Sequence, residues 1–251
     1  MISRNARRKA AETVKERAKK RLSGALVKCA VLGCQHATQK AAGNGLSKTH
    51  CKAHVEFHRR HGSYWRRSYL AREIAPFRRA ARQWLREHEG SPEVLDAIDQ
   101  LDGLLFASGR PISAFNLNGR SSVDKAQTAL ARLREAGKTG EDLLEIALTI
   151  SATVSELGPR GNDEFLNVQV AKLAHRLASG TILKNHEGVP YSEIYKGAKG
   201  SMFVRYPRAA GGYMRLLGQA ILKRASGALE RETIQAIRAG ALSTASGVGN
   251  H

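Results

Sequence analysis

Residues Cys29–Ser63 read CAVLGCQHATQKAAGNGLSKTHCKAHVEFHRRHGS, and this stretch holds all three cysteines of the chain. Four residues in it follow the spacing C-x4-C-x16-C-x2-H: Cys29, Cys34, Cys51 and His54. Three thiolates and one imidazole are the ligand set of a closed, tetrahedral structural zinc site. Soft sulfur ligands favour zinc over cations that prefer oxygen. The sequence therefore predicts a zinc ion held by these four residues.

The local sequence fits a metal knuckle followed by a helix. Gly33 precedes the second cysteine and can take the positive φ that a tight knuckle needs. Cys51 and His54 are three residues apart, so they would share one face of a helix. We expect that helix to begin near Thr49 and to stop at Gly62.

The histidine ligand is less tightly specified than the cysteines. His36 and His50 are close enough in the sequence to compete with His54, and that alternative stays open. His58 and His61 are spaced further from the cysteines, so we expect them on the surface of the same helix.

The segment resembles a short zinc-binding motif that recurs in bacteriophage and mobile-element proteins. That motif has C-x4-C, a Gly-Leu pair, C-x2-H, and then basic residues that close on glycine. The residues that match are Cys29, Cys34, Gly45-Leu46, Cys51, His54, Arg59-Arg60 and Gly62-Ser63. Because such motifs accompany DNA-binding proteins and some HNH-type nucleases, the resemblance implies a nucleic-acid context for about 35 of the 251 residues.

Composition predicts a mainly α protein that works inside the cell. Hydrophobic residues make up 42% of the chain and aromatic residues only 6%, with abundant alanine, leucine and arginine. No apolar run approaches the roughly 18 residues of a membrane span. The basic N-terminus has no apolar segment behind it, so we expect no secretory signal. The odd number of cysteines argues against a disulfide framework, and we expect a cytoplasmic protein.

Positive charge is concentrated in the first third of the chain. Residues 1–90 hold 22 Lys/Arg against 6 Asp/Glu, whereas residues 91–251 hold 19 against 16, within a net charge of +19. A one-sided excess of this size is the electrostatic footprint of a protein that binds a polyanion. A solubilising basic surface is the alternative. A lipid surface is disfavoured, because the basic helix lacks large apolar anchors.

Ten basic residues are the predicted contacts to nucleic acid. The first six belong to a helical arm whose narrow apolar stripe is mostly alanine, and the other four flank the end of the metal segment. They are Arg4, Arg7, Arg8, Lys15, Lys19, Lys20, Arg59, Arg60, Arg66 and Arg67. Lysine and arginine neutralise phosphates, and arginine also suits bidentate contacts to phosphates and base edges.

The predicted architecture is a small zinc-knuckle module followed by a helical domain. We expect a basic helical arm at 1–24, a zinc-binding basic module with a helical extension at 25–90, a helical domain at 91–242 and a disordered tail at 243–251. Within the module, Pro76 predicts a kink or the start of a helix. The pattern around it favours a helix that carries Trp65 and Trp84 into the core.

Beyond residue 90, local signals predict the starts of several helices. Ser91, Ser122 and Thr139 are suited to cap the helices that follow them. A further helix is expected to start at Asn162, and a short extended piece is predicted within Ser201–Tyr206.

The function predicted from these features is a zinc-dependent DNA-binding protein, a regulator or accessory factor of a mobile element. RNA binding is the first alternative, since phosphate contacts alone do not distinguish the two nucleic acids. An HNH-type nuclease is the second, with Asn44 and the nearby histidines as its residues, although four protein ligands would close the metal site to substrate. We expect no enzymatic activity. The helical domain at 91–242 leaves room for a second copy of the chain or a protein partner.

Overall fold

A computed structural model of the chain shows a mainly α protein. It describes residues 27–38, 47–112, 116–117, 119–159, 161–178, 194–196, 202–204 and 211–246. The predicted basic arm at 1–24 lies outside these residues.

Eight α-helices and one antiparallel pair of strands are found in the described residues. In chain order the helices are α1 (Lys52–His61), α2 (Ala71–Glu87), α3 (Pro92–Phe106), α4 (Ser122–Glu135), α5 (Gly140–Leu157), α6 (Asp163–Ala178), α7 (Gly212–Arg224) and α8 (Arg231–Ser246). The strands are β1 (Ile194–Lys196) and β2 (Met202–Val204), and Tyr195 lies opposite Phe203. Strand β2 falls within the stretch predicted to be extended.

The chain divides into two compact units, Met1–Phe57 and His58–His251. The boundary predicted at residue 90 instead falls between α2 and α3, two helices of the second unit. The physical reason is the apolar face of α2, which joins the core of that unit through Ile74, Phe77, Ala81 and Leu85. The spacing of these residues predicts an apolar helix face, but it does not identify the helices that cover it.

Helix α5 lies at the centre of the second unit. It packs against α2, α3, α6, α7 and α8. Ten of its eighteen residues are buried, including Leu143, Leu144 and Ile146. A helix that is apolar around most of its circumference needs neighbours on every side, and the surrounding helices supply them.

Reciprocal caps fix where two of these helices start. Ser121 Oγ accepts the N–H of Asp124 at 3.1 Å, and Asp124 Oδ2 accepts the N–H of Ser121 at 3.2 Å. Thr139 and Asp142 form the same pair before α5. Each exchange satisfies two N–H groups that a helix start would otherwise leave without a partner. The cap predicted at Ser122 therefore lies one residue earlier, whereas the cap predicted at Thr139 is confirmed.

The segment between α1 and α2 departs from the predicted helical pattern. Helix α1 stops before Gly62, as expected, and Gly62 has a φ of +76°. Ser63 Oγ then accepts the N–H groups of Trp65 and Arg66 at 3.4 and 3.1 Å. Such a side-chain turn competes with helix formation. Trp65 consequently lies outside a helix and is 62% exposed, so the prediction that it is a core residue is wrong.

Two further expectations about helix ends are corrected. Helix α2 begins at Ala71 and continues through Pro76, so no helix starts at the proline, and the predicted kink stays a prediction. Glu73 Oε2 accepts the N–H of Leu70 at 2.6 Å and stabilises the true start. Helix α8 continues to Ser246, and Ala241, just before the predicted tail, is buried in the core. The first four residues of the predicted tail are therefore helical, and the rest lie outside the described residues.

The described part of the chain contains no candidate for a membrane-spanning helix. None of the helices there combines the length and the apolar composition needed to cross a bilayer.

Helices α6 and α7 approach each other closely at Gly218. A Cβ atom built on this glycine would lie 1.8 Å from the carbonyl oxygen of Asn167, which is backbone and cannot rotate away. At Gly103, on the exposed side of α3, an added Cβ atom would have no heavy atom within 4 Å. The two glycines therefore allow one substitution to be compared in opposite surroundings.

We expect Gly218→Ala to destabilise the protein by about 3 kcal/mol or more, because the two helices must separate to admit a methyl group. Gly103→Ala is the control and should raise stability by up to about 1 kcal/mol through helix propensity. Thermal unfolding followed by circular dichroism measures both. Equal melting temperatures for Gly218→Ala and the parent would contradict the close approach.

The position of α2 predicts how fragments of the chain behave. A fragment of residues 58–251 keeps α2 and should unfold cooperatively, whereas residues 91–251 lack the helix that covers α5 and α8 and should melt at a lower temperature. Circular dichroism melts of the two fragments test this. Indistinguishable melts would mean that α2 is dispensable to the core.

Candidate metal centre and basic residues

The first half of the predicted metal site is a short loop closed by backbone hydrogen bonds. Lys28 and Ala37 form an isolated antiparallel bridge across it. Cys29 donates its N–H to the carbonyl oxygen of His36 at 3.0 Å. Gly33 takes a φ of +79°, as expected of a knuckle. The bridge and the turn bring the side chains of the first two cysteines to the same end of the loop.

The second half of the site is the start of α1. Cys51 lies immediately before the helix, and its carbonyl oxygen accepts the N–H of Val55 at 3.0 Å. The segment ahead of it is held by Ser47 Oγ, which accepts the N–H groups of Thr49 and His50 at 3.1 Å each. The helix therefore begins three residues later than predicted, because this turn uses Thr49 and His50. His54 falls in the first turn of the helix.

The four predicted ligands converge. The ligand atoms of Cys29, Cys34, Cys51 and His54 all lie within 4.8 Å of one another. His54 Nδ1 is 3.3 Å from the sulfurs of both Cys29 and Cys51, and the sulfurs of Cys34 and Cys51 are 3.9 Å apart. A disulfide needs about 2.05 Å between sulfurs, and the three cysteines are free thiols. These residues are positioned to bind a metal ion.

The alternative histidines are placed differently. His50 Nδ1 lies 2.9 Å from Thr49 Oγ1 and 3.4 Å from Ser47 Oγ, so its ring is engaged with the turn before the helix. His36 Nδ1 lies 3.6 Å from the sulfur of Cys34. Only His54 joins the three cysteines in the cluster found among the described residues.

The electrostatics of the thiols favour a bound cation. Burial raises the pKa of Cys29. The backbone N–H groups of Cys51 and Val31 and the His54 ring lower it by a larger amount, so that the pKa falls to about 6. The backbone N–H of His36 lowers the pKa of Cys34, but burial and the neighbouring sulfurs of Cys51 and Cys29 raise it more. The Cys29 thiolate thus forms easily, and its negative charge makes deprotonation of the Cys34 thiol harder. A metal ion would offset this repulsion, and its affinity should rise with pH as thiol protons are lost.

The ten residues predicted to contact nucleic acid differ in their surroundings. The six in the arm, Arg4, Arg7, Arg8, Lys15, Lys19 and Lys20, lie outside the described residues. Arg59 and Arg60 occupy the last turn of α1 and are exposed. Arg66 is half-buried, with its guanidinium 5.3 Å from the ring centre of Tyr69. Arg67 is exposed and lies 3.7 Å from Glu73.

Two arginines of α2 are already paired with a carboxylate of the second unit. Arg78 and Arg82 both reach Glu145 of α5, at 2.5 and 2.9 Å. The side chain of Glu145 is only 14% exposed, so these contacts neutralise a carboxylate that the packing would otherwise leave poorly solvated. Their position on a basic stretch of sequence does not distinguish them from residues that contact phosphate.

The sequence also does not reveal which residues hold the end of α1 within the second unit. His58 Nε2 lies 3.2 Å from Glu164 Oε2 on α6, and Arg215 of α7 donates to the other oxygen of Glu164. His58 also stacks on Tyr64, with ring centres 4.1 Å apart. Burial lowers the pKa of His58, opposed in part by Glu164. Because His58 and Glu164 are over a hundred positions apart, no local pattern predicts the pair.

Comparisons with known proteins add no family to these observations. No protein-family model, curated protein or solved structure matches the chain. The function of the protein is therefore inferred from the Cys/His cluster and from the distribution of charge.

We expect the purified protein to hold one metal ion per chain. Cys51→Ser should lower that stoichiometry sharply, because a serine hydroxyl does not replace a thiolate ligand and the half-formed site binds weakly. His50→Ala is the matched control and should keep one ion per chain. Elemental analysis after gel filtration measures all three proteins. A parent with well under one ion per chain would rule the centre out, as would undiminished binding by Cys51→Ser.

Proposed function

We propose that this protein is a zinc-dependent DNA-binding protein, in which the metal stabilises a small basic module. The observation that carries the proposal is the convergence of three cysteines and one histidine within the most positively charged third of the chain. The resemblance of residues 29–63 to a motif of bacteriophage and mobile-element proteins supports DNA over RNA. On the same ground we propose a regulator or accessory factor of a mobile element.

The spacing of the ligand atoms supports zinc as the metal. With zinc–sulfur distances of about 2.3 Å, a tetrahedron has edges of about 3.8 Å between sulfurs and about 3.6 Å between sulfur and nitrogen. The observed separations are 3.9 Å for Cys34 to Cys51 and 3.3 Å for His54 to Cys29. Magnesium and calcium prefer oxygen ligands, which this cluster does not offer. Bound zinc would cross-link the loop at Cys29 and Cys34 to the start of α1.

The ligand set supports binding rather than catalysis at this centre. Four protein ligands fill a tetrahedral zinc ion, whereas a catalytic zinc site keeps a position open for water or substrate. His54 lies against two thiols, so it does not serve as the general base of an HNH-type site. Asn44, which that alternative also requires, lies outside the described residues.

The charge distribution supports a polyanionic partner. Residues 1–90 carry a net charge of +16, and Arg59 and Arg60 remain exposed at the end of α1. Neutralising phosphates releases condensed counterions, which supplies most of the affinity for nucleic acid that does not depend on sequence. Binding should therefore be strong at low salt and should weaken steeply as salt is added.

We expect the affinity of the zinc-loaded full chain for duplex DNA to fall with salt at a slope of log K against log salt near −5. This slope corresponds to about six neutralised phosphates at about −0.9 each. Deleting residues 1–21, which contain nine Lys/Arg, should flatten the slope and weaken binding to all sequences alike. Fluorescence anisotropy over a potassium chloride series measures the effect.

Deleting residues 247–251, which contain no lysine or arginine, is the control and should leave the slope unchanged. An unaltered slope after deletion of 1–21 would show that the arm does not contact phosphates. An RNA duplex of the same sequence, run in parallel, separates the two nucleic acids, and tighter binding to RNA would replace DNA as the partner. Incubation of labelled DNA with magnesium or manganese tests the nuclease alternative, for which we expect no cleavage.

A further inference from the structure

A group of polar residues lies between the end of α1 and the middle of α6, within the second unit. Lys172 donates from Nζ to Ser68 Oγ at 2.7 Å. Ser68 donates its backbone N–H to His61 Nδ1 at 3.0 Å, and its hydroxyl lies 3.0 Å from the same nitrogen. Since Nδ1 accepts a hydrogen bond, the geometry assigns His61 as a neutral ring protonated on Nε2. The hydroxyl of Ser68 is thus held between a lysine and a histidine.

A buried glutamine fixes this arrangement to α6. Gln169 is 4% exposed and donates from Nε2 to the carbonyl oxygen of His61 at 3.0 Å. It lies one turn before Lys172 on the same helix. The last residue of α1 and the segment that carries Ser68 are therefore both hydrogen-bonded to α6. These contacts fix the position of the Lys172 side chain.

The charges that act on the pKa of Lys172 are positive. Burial lowers its pKa to about 8, and the neighbouring cations Arg176 and Arg60 lower it further. Burial likewise lowers the pKa of His61 to about 4, with Lys172 and Arg60 adding to the shift. Burial is thus the larger cause of both shifts, and the neighbouring cations act in the same direction.

Several basic residues of the same unit are neutralised by carboxylates. Glu145 pairs with two arginines of α2, Glu164 pairs with Arg215, and Glu156 pairs with Arg238. In contrast, neither Lys172 nor Arg176 forms an ion pair with any residue that the structure describes. Lys172 and Arg176 therefore place positive charge here without an ion pair among the described residues, and an external anion would offset that charge.

We propose that Arg60, Lys172 and Arg176 form a phosphate-contacting patch through which the helical unit binds the backbone of the nucleic acid. This inference rests on the proposed function and adds a second contact region to it. Lys172 and Arg176 are four residues apart, so they lie side by side on α6. Lysine offers a compact charge and arginine a fork that matches phosphate oxygens. The patch gives residues 91–242 a role in binding, where the sequence suggested a second copy of the chain or a protein partner.

The test replaces two charges while keeping the hydrogen-bonding capacity of the side chains. In the zinc-loaded full chain, the double variant Lys172→Gln/Arg176→Gln removes the charges, and its glutamine at 172 still offers a donor to Ser68. The matched control is Lys223→Gln/Arg224→Gln, which removes two exposed charges from the last turn of α7. Both variants should remain folded by circular dichroism, and the first should melt no lower than the parent because repulsion is relieved.

We expect Lys172→Gln/Arg176→Gln to make the slope of log K against log salt for duplex DNA less steep by about 1.8, since each phosphate contact contributes about 0.9. Affinity at low salt should drop at least about tenfold. The control pair should change the slope by less than half as much. If the parent binds DNA and the two pairs have equal effects, the patch is refuted while the proposed function stands.

A second measurement addresses the patch when DNA binding itself fails. The melting temperature of the parent should rise by about 3 °C when inorganic phosphate replaces chloride at equal ionic strength, because a ligand that binds only the folded state stabilises it. This rise should vanish in Lys172→Gln/Arg176→Gln and persist in the control. A parent that shows the rise but binds neither DNA nor RNA would retain the anion site and refute the proposed function. A rise that is absent, or equal in both variants, would refute the site.

Discussion

The burial of one helix sets the organisation of the second unit. Helix α5 hides more than half of its residues, so it must be surrounded, and five other helices pack against it. Where two helices approach closely, their backbones come into contact. The tightest such contact in the described residues is that of Gly218 with Asn167. Helix α2 belongs to this assembly because its apolar face covers α5 and α8. That coverage places α2 in the second unit, which begins at His58 rather than near residue 90.

The described residues of the first unit do not form an apolar core of this kind. They offer little apolar surface to bury, and the exposed Leu32 and Val27 show that these hydrophobic side chains do not form a core. Modules of this size usually depend on a metal or a disulfide for stability. Here the sulfurs are too far apart for a disulfide and close enough to share one ion. Burial and the sulfurs of Cys51 and Cys29 raise the pKa of Cys34, and a bound cation would offset the repulsion between thiolates.

The features that the sequence predicted correctly depend on interactions between residues that are close in the sequence. The ligand cluster follows from a spacing within 26 residues, and the cap at Thr139 follows from the residue three positions later. The misplaced features depend on long range or on a competing local turn. Ser63 redirects the chain at Trp65, which hydrophobic periodicity alone does not reveal. The ion pairs of Arg78 and Arg82 with Glu145, and of His58 with Glu164, join residues 63 or more positions apart, so a basic run could not be sorted into structural and exposed members.

That sorting bears directly on how the protein would meet a polyanion. A charge already paired with a half-buried carboxylate releases few counterions when a phosphate approaches, because its field is largely cancelled. By this criterion Arg78, Arg82 and Arg238 contribute little, although they are as basic as any other arginine. The exposed Arg59 contributes more, as do Lys172 and Arg176, and none of these three forms an ion pair among the described residues. Net charge therefore identifies the class of partner, whereas the position of each carboxylate determines which residues are left to contact it.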